Sequence, residues 1–237
     1  MECRVETKDG ENPIILLCPH SPEEDFTDLI AETISEKLEA YTIVNKGWER
    51  SENVDFLHDK ANCNDLNQLL TDDVARDEFL IPLIQAVSQI RSQHFINVYI
   101  FIIHGFEVPA PKDPGQRLSK PDIVLGTGLP DRPSCDLWRR DALAFYLTVR
   151  GLEVYEGKPC GRFAGWARNN LNQFFRRKTD LWQKDQSVQS FQVEIEHAWR
   201  KSAATTRVVS EALWKSIEEL VNLGDEKTDN KLELKQW

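Results

Sequence analysis

Ile14-Ile-Leu-Leu-Cys18 runs into Pro19-His-Ser-Pro-Glu-Glu24, and the stretch that follows, Asp25 to Ala40, carries apolar residues at Phe26, Leu29, Ile30, Ile34 and Leu38. Five apolar residues are too few for a buried helix and match a strand covered on both faces. The spacing after Asp25 is helical. His20, Glu23 and Glu24 are therefore expected in a loop at the carboxyl end of a buried strand, just ahead of a helix. Open α/β sheets bind their ligands at that edge. An imidazole and a carboxylate a few residues apart suit a divalent metal, zinc above all. The same residues also fit a plain strand-to-helix turn in which Ser21 or Glu24 caps the helix.

Outward from this stretch, strand and helix signals alternate. Tyr41 to Val44, Phe95 to Ile103, Asp122 to Gly126, Leu152 to Tyr155 and Ser190 to Glu196 read as strands, the second being β-branched, aromatic and apolar almost throughout. Helical spacing covers Asp73 to Ser92, Ser134 (as N-cap) to Val149, and about Ser202 to Leu223. Met1 to Asn12 reads as a polar lead-in and Val108 to Lys120, rich in Pro and Gly, as a loop. Lys46 to Asp65 is a long non-periodic segment whose last residues open the run Asn62-Cys-Asn-Asp-Leu-Asn-Gln68; such segments are functional or mobile. The alternation predicts a layered α/β fold with a mostly parallel, mixed central sheet. One domain over 1–224 and a charged tail over 225–237 are expected.

The chain has 237 residues, long enough for a sizeable core, and a formal net charge of −10. That charge, with no compensating basic block, argues against nucleic acid and anionic membranes as partners. Cys3, Cys18, Cys63, Cys135 and Cys160 are scattered and odd in number, as expected of a reduced, cytoplasmic protein. No signal peptide or membrane span is read. Neither a Gly-rich nucleotide loop nor a G-x-S-x-G elbow follows a strand.

Polar residues at strand ends carry the functional reading. His20 closes the first buried strand, His104 closes the best central one, and Glu194 lies in a third. Parallel strands share a carboxyl edge, so the three can converge. Two imidazoles and a carboxylate leave a fourth tetrahedral position for water, as in catalytic zinc sites, and a further carboxylate can take that water's proton. Glu194 sits in Phe191-Gln-Val-Glu-Ile195, an alternation that also fits the polar face of a half-exposed strand. His58, His94 and His197 are read as structural or surface groups.

The order of these motifs resembles the N-formylglutamate amidohydrolases and phage-type poly-γ-glutamate hydrolases. The resemblance rests on Pro19-His-Ser-Pro-Glu-Glu24, Ile102-Ile-His-Gly105, Asp122-Ile-Val-Leu-Gly126, Phe163-Ala-Gly165 with Asn169-Asn-Leu-Asn172, and Gln192-Val-Glu-Ile195 followed by Arg200. It covers about residues 13 to 200. It implies a three-layer αβα, zinc-exopeptidase-like fold and a zinc-dependent amidohydrolase. The expected substrate is a small molecule or short peptide-like amide, either an N-acyl amino acid such as N-formylglutamate or a γ-glutamyl compound. Carried over by position, it makes His20, Glu24 and His104 zinc ligands and Glu194 the general base and acid. Glu23 is the alternative ligand, since His20-x-x-Glu23 reproduces the carboxypeptidase spacing. Arg200, Asn172 and Asn67 become substrate-binding positions. Asp122, at the start of its strand, is a candidate to orient a metal-bound histidine.

The chain departs from the pattern at Gln68 and Gln173, where relatives often carry Arg; Gln cannot imitate the planar fork that grips a carboxylate. Arg50, Arg162, Arg168 and Arg200 remain as candidate anion binders. Two rival readings stand beside the hydrolase. One is a member of the same fold that has lost turnover and acts as a binding protein. The other is a hydrolase using Ser21 or Cys63 as nucleophile, for which no supporting motif exists.

Overall fold

The computed structural model describes residues 4–93, 95–107, 120–157 and 163–233. His94, Arg162, Cys3, Cys160 and most of the Pro/Gly-rich 108–120 segment lie outside the described residues. In chain order the elements are β1 Val5–Lys8, β2 Ile14–Cys18, α1 Thr27–Leu38, β3 Tyr41–Asn45, α2 Leu66–Thr71, α3 Asp73–Ala75, α4 Ile81–Ser92, β4 Val98–Phe106, β5 Ile123–Gly126, β6 Gly128–Leu129 and β7 Arg132–Pro133. Then follow α5 Leu137–Val149, β8 Val154–Glu156, β9 Val188–Glu196, α6 His197–Arg200 and α7 Ala203–Glu233. Seven strands form one sheet in the order β1-β3-β2-β4-β9-β5-β8. Its centre, β3-β2-β4-β9, is parallel, while β1 and β5 run antiparallel to β3 and β9.

Alternation along the central strands feeds two separate cores. Leu16, Tyr99, Phe101, Phe191 and Val193 face the layer holding α1, α5 and α7. Ile15, Leu17, Ile100, Ile102 and Val188 face α4, the loop segments and a 3-10 helix, Leu171–Arg176. Both faces of β2, β4 and β9 are covered, so the chain is an αβα sandwich around a mixed sheet. At about 25 cal/mol per Å², burying one such leucine or phenylalanine contributes roughly 2 kcal/mol.

Several elements differ from the sequence reading. Val5–Lys8 is an edge strand rather than a lead-in; its pattern of one buried and three exposed residues carries no alternation signal. Ser134 does not cap α5, since its hydroxyl donates to the Ser190 carbonyl at 2.7 Å and Asp136 is the cap position. Neither Ser21 nor Glu24 caps α1, whose cap position is Phe26 in a left-handed conformation. The Asp73 to Ser92 helix is interrupted by a single π turn, Arg76–Leu80. The last helix runs on through Gly224 to Glu233. Gly224 is a packing residue, not a stop: a Cβ there would collide with the Tyr99 hydroxyl and the Arg139 guanidinium. Among the described residues, no helix is long and apolar enough to cross a membrane.

Candidate metal centre and active site

Because β2, β4 and β9 are adjacent and parallel, their carboxyl ends meet. His104 lies two residues inside β4, which extends to Phe106, and its register partner on β9 is Glu194. Register partners on neighbouring strands share a face, here the face of Ile100 and Ile102. His20 follows β2 in a tight turn, where the Glu24 amide donates to the His20 carbonyl at 3.0 Å. That turn places residues i and i+4 side by side, and the Glu24 carboxylate folds back onto His20. Glu23 points away, and its carboxylate accepts the backbone N–H of Arg50. Of the two candidate acidic ligands, Glu24 is the one brought to the histidines.

His20 Nδ1 stands 3.3 Å from Glu24 Oε1, and His104 Nδ1 stands 3.4 and 3.3 Å from the two Glu24 oxygens. The Gly105 amide also donates to Glu24 Oε2 at 2.9 Å. One ligand atom from each of His20, Glu24 and His104 lies within 4.8 Å of the others. These spacings fit a metal. Two ligand atoms each about 2.1 Å from a tetrahedral ion stand roughly 3.4 Å apart, whereas good hydrogen bonds of this kind are about 2.7–3.2 Å. The cluster can hold a divalent ion, and two neutral nitrogens with one carboxylate are a donor set that zinc accepts. Gly105 is required by its other face, where a Cβ would run into the Arg200 guanidinium.

Charge is arranged around the cluster in a consistent way. Burial opposes ionisation of Glu24, but the two histidines outweigh it and hold its carboxyl well below the usual range. Burial likewise disfavours the His104 imidazolium, yet Glu24 and Glu194 overcome this and raise its pKa. Glu194 behaves oppositely. It is only 5% exposed, and burial, helped by Glu24, pushes its carboxyl up to about 7 against His104, Gln192 and Arg200. Gln192 Nε2 donates to Glu194 Oε1 at 2.7 Å and its own Oε1 accepts from Asn170 at 3.1 Å. The polar face of β9 is therefore buried and hydrogen-bonded, not half-exposed. A cavity of about 440 Å³ opens over these groups, walled by Arg50, Asn64, Gly105, Phe163 and Asn170. Phe163, at φ 68°, holds a conformation that costs a non-glycine residue on the order of 1 kcal/mol or more. Its ring packs on Phe106 at 5.1 Å.

No family model and no curated protein matches the sequence. Among solved structures, the chain is similar to a gene product of Agrobacterium tumefaciens at 13% identity and a TM-score of 0.58, covering 94% of this chain and 96% of that one. It is similar to N-formylglutamate amidohydrolase from Ralstonia eutropha JMP134 at 12% identity and a TM-score of 0.56, over 93% and 99%. A bacteriophage poly-γ-glutamate hydrolase matches at 14% identity and a TM-score of 0.51, over 92% and 89%. The chain has the fold of these proteins.

Within that fold the other expected site residues sit elsewhere. Arg200 does not line the cavity: its buried guanidinium donates to the Ile195 and Asp25 carbonyls at 3.0 and 2.8 Å and reaches Phe106 O at 3.5 Å. It braces the ends of β4 and β9 against the His20–Glu24 turn. Asn172 is buried between the Gly126 carbonyl, the Ser134 hydroxyl and the Ser190 hydroxyl, and the neighbouring Asn170 is the one at the cavity. Asn67 is exposed at the start of α2. Gln68 and Gln173 are buried struts. Among the described candidate anion binders, Arg50 lines the cavity and Arg168 lends a carbonyl to Arg177; Arg162 lies outside the described residues. His58 pairs with Asp55 on the surface, and His197 opens α6.

The nucleophile alternative has no footing. Ser21 Oγ donates to the Asn45 carbonyl, and Cys63 is fully buried with its thiol pKa pushed far up by burial.

Asp122 meets no histidine among the described residues. Its carboxylate accepts from the Trp199 indole and from the Glu153 amide, both at 2.7 Å, and so pins α6 and the start of β8 to β5. Asp122→Asn is expected to leave metal affinity unchanged. It should lower stability by about 1–2 kcal/mol, because an amide NH2 then faces a donor. Zinc titration and urea unfolding of the variant check both halves.

Proposed function

We propose that this protein is a zinc-dependent amidohydrolase acting on an N-acyl amino acid or a γ-glutamyl-type amide. The observation that carries the reading is the His20–Glu24–His104 cluster with Glu194 in register beside it. Zinc held by those three side chains would polarise the amide carbonyl and acidify water. Glu194, in register with His104 and lining the cavity, takes the proton of the attacking water and returns it to the departing amine. Gln192 keeps one carboxylate oxygen occupied and leaves the other to the cavity. Arg200, out of the cavity, keeps the strand ends and the His20–Glu24 turn in register.

The cavity also selects its substrate. Among the described residues, Arg50 is the cation lining the cavity, beside Asn64, Asn170, Gln192 and Phe163. Its side chain shows no ion-pair partner among the described residues. A carboxylate on the substrate would pair with it, offsetting the Arg missing at position 68. Arg50→Gln is expected to raise KM about 10- to 100-fold for a carboxylate-bearing amide, the worth of one charged hydrogen bond. KM for a neutral amide should hardly change.

The test is a hydrolysis screen over N-acyl amino acids and γ-glutamyl peptides, before and after chelation and zinc addition. Turnover that disappears on chelation and returns with zinc supports the proposal. Full activity after exhaustive chelation overturns it.

A further inference from the structure

The run Asn62 to Gln68, which leads into α2, holds a contact that the catalytic reading leaves unused. His20 Nε2 stands 2.9 Å from Asn62 Oδ1. The same oxygen accepts the backbone N–H of Asn64 at 3.0 Å. A backbone N–H can only donate, so the Asn62 atom that meets it must be the carbonyl oxygen. Turning the amide over would set NH2 against N–H. An oxygen fixed in this way can only accept from His20, so Nε2 must carry the hydrogen. The neutral ring then has its lone pair on Nδ1, 3.3 Å from Glu24 Oε1. Two acceptors facing each other repel unless a positive charge lies between them, a ring proton in the imidazolium or a metal ion in the loaded site.

We propose that Asn62 is a positioning residue that locks His20 in the Nε2–H tautomer and aims Nδ1 at the metal. This rests on the metal reading above, and it assigns to an amide on a loop the part that metal-bound histidines usually give to a carboxylate or a backbone carbonyl. Asn62 is itself held. Its N–H donates to Gln68 Oε1 at 2.7 Å, and Gln68 Nε2 donates to the Ser51 and Glu52 carbonyls at 2.9 and 3.0 Å. Gln68, standing where an Arg would grip substrate, thus braces the loop that orients His20. The same brace secures the segment beside Arg50.

Two measurements test the assignment. Nitrogen-15 NMR of the metal-free wild type at alkaline pH, with its imidazoles neutral, should show His20 as the Nε2–H tautomer. Asn62→Ala should give a mixture of tautomers. Calorimetric zinc titration should show Asn62→Ala about 10- to 100-fold weaker than wild type. Asn62→Asp, which keeps an acceptor at the same place, should stay within a few-fold. An Nδ1–H tautomer in the wild type overturns the assignment, and so does unchanged zinc affinity in Asn62→Ala. Should Asn62→Ala fail to fold, the wild-type tautomer and Asn62→Asp decide the matter. A wild type that shows the Nε2–H tautomer but takes up no zinc overturns the metal reading and leaves the tautomer lock standing.

Discussion

Glu194→Gln is expected to lower turnover of the amide substrate by about 10²- to 10⁴-fold, the usual weight of general acid–base catalysis. Fold, metal content and substrate binding should be kept. The substitution is nearly isosteric, and Gln192 can still donate to the remaining carbonyl oxygen. What is lost is the group proposed to move the proton. A second consequence concerns stability. Burial raises the Glu194 carboxyl from its ordinary 4.5 to about 7. Between those values the folded metal-free protein holds a proton that the unfolded chain has released, so stability falls as pH rises through that window. Above about pH 7 the buried carboxylate is charged and the cost is complete, on the order of 3 kcal/mol for a shift of this size. Metal-free Glu194→Gln should therefore be more stable than metal-free wild type at pH 8 by roughly that amount. The gap should close below about pH 4.5. Urea unfolding of chelated samples across the range reads the difference directly. An equally active variant, or one with no pH-dependent gap, would remove Glu194 from this role.

His104→Ala has the largest expected effect on metal. His104 is 2% exposed, shares the Glu24 carboxylate with His20, and belongs to the central strand. Removing it leaves one imidazole and one carboxylate, too few for a tight zinc site. Purified variant should carry little zinc beside a wild type with about one per chain. The fold should survive. The Nε2 atom of His104 is buried without a hydrogen-bond partner among the described residues, so its loss also removes a polar group that burial penalises. Circular dichroism and elemental analysis on the same preparation separate metal loss from unfolding. Equal zinc in the two proteins would take His104 out of the site.

The parts of this site that were legible in the sequence are those fixed by strand patterning. Ile14 to Cys18 and Ile100 to Ile103 announce buried strands, and a polar residue just past such a run has to sit at a sheet edge. That logic brings His20, His104 and Glu194 together without a structure. The choice between Glu23 and Glu24 depends on a single turn of backbone, which composition does not encode. Arg200, Asn172 and Asp122 were legible as polar residues near motifs, but nothing in the sequence shows that carbonyls, hydroxyls and an indole claim their side chains. Buried polar groups are satisfied by whatever the fold places next to them. Asn62, Asn64 and Asn170 went unassigned for the converse reason. They lie in irregular segments where no periodicity gives a direction, although the non-periodic stretch Lys46 to Asp65 marked the place of Asn62 and Asn64.

An anomalous-difference map at the zinc absorption edge, from crystals grown with stoichiometric zinc, tests the central claim most directly. One peak per chain is expected, bounded by Nδ1 of His20, Nδ1 of His104 and the Glu24 carboxylate, with Glu194 facing it across the strand register. No peak at that position, or zinc bound elsewhere while these three side chains remain bonded only to one another, would contradict the account.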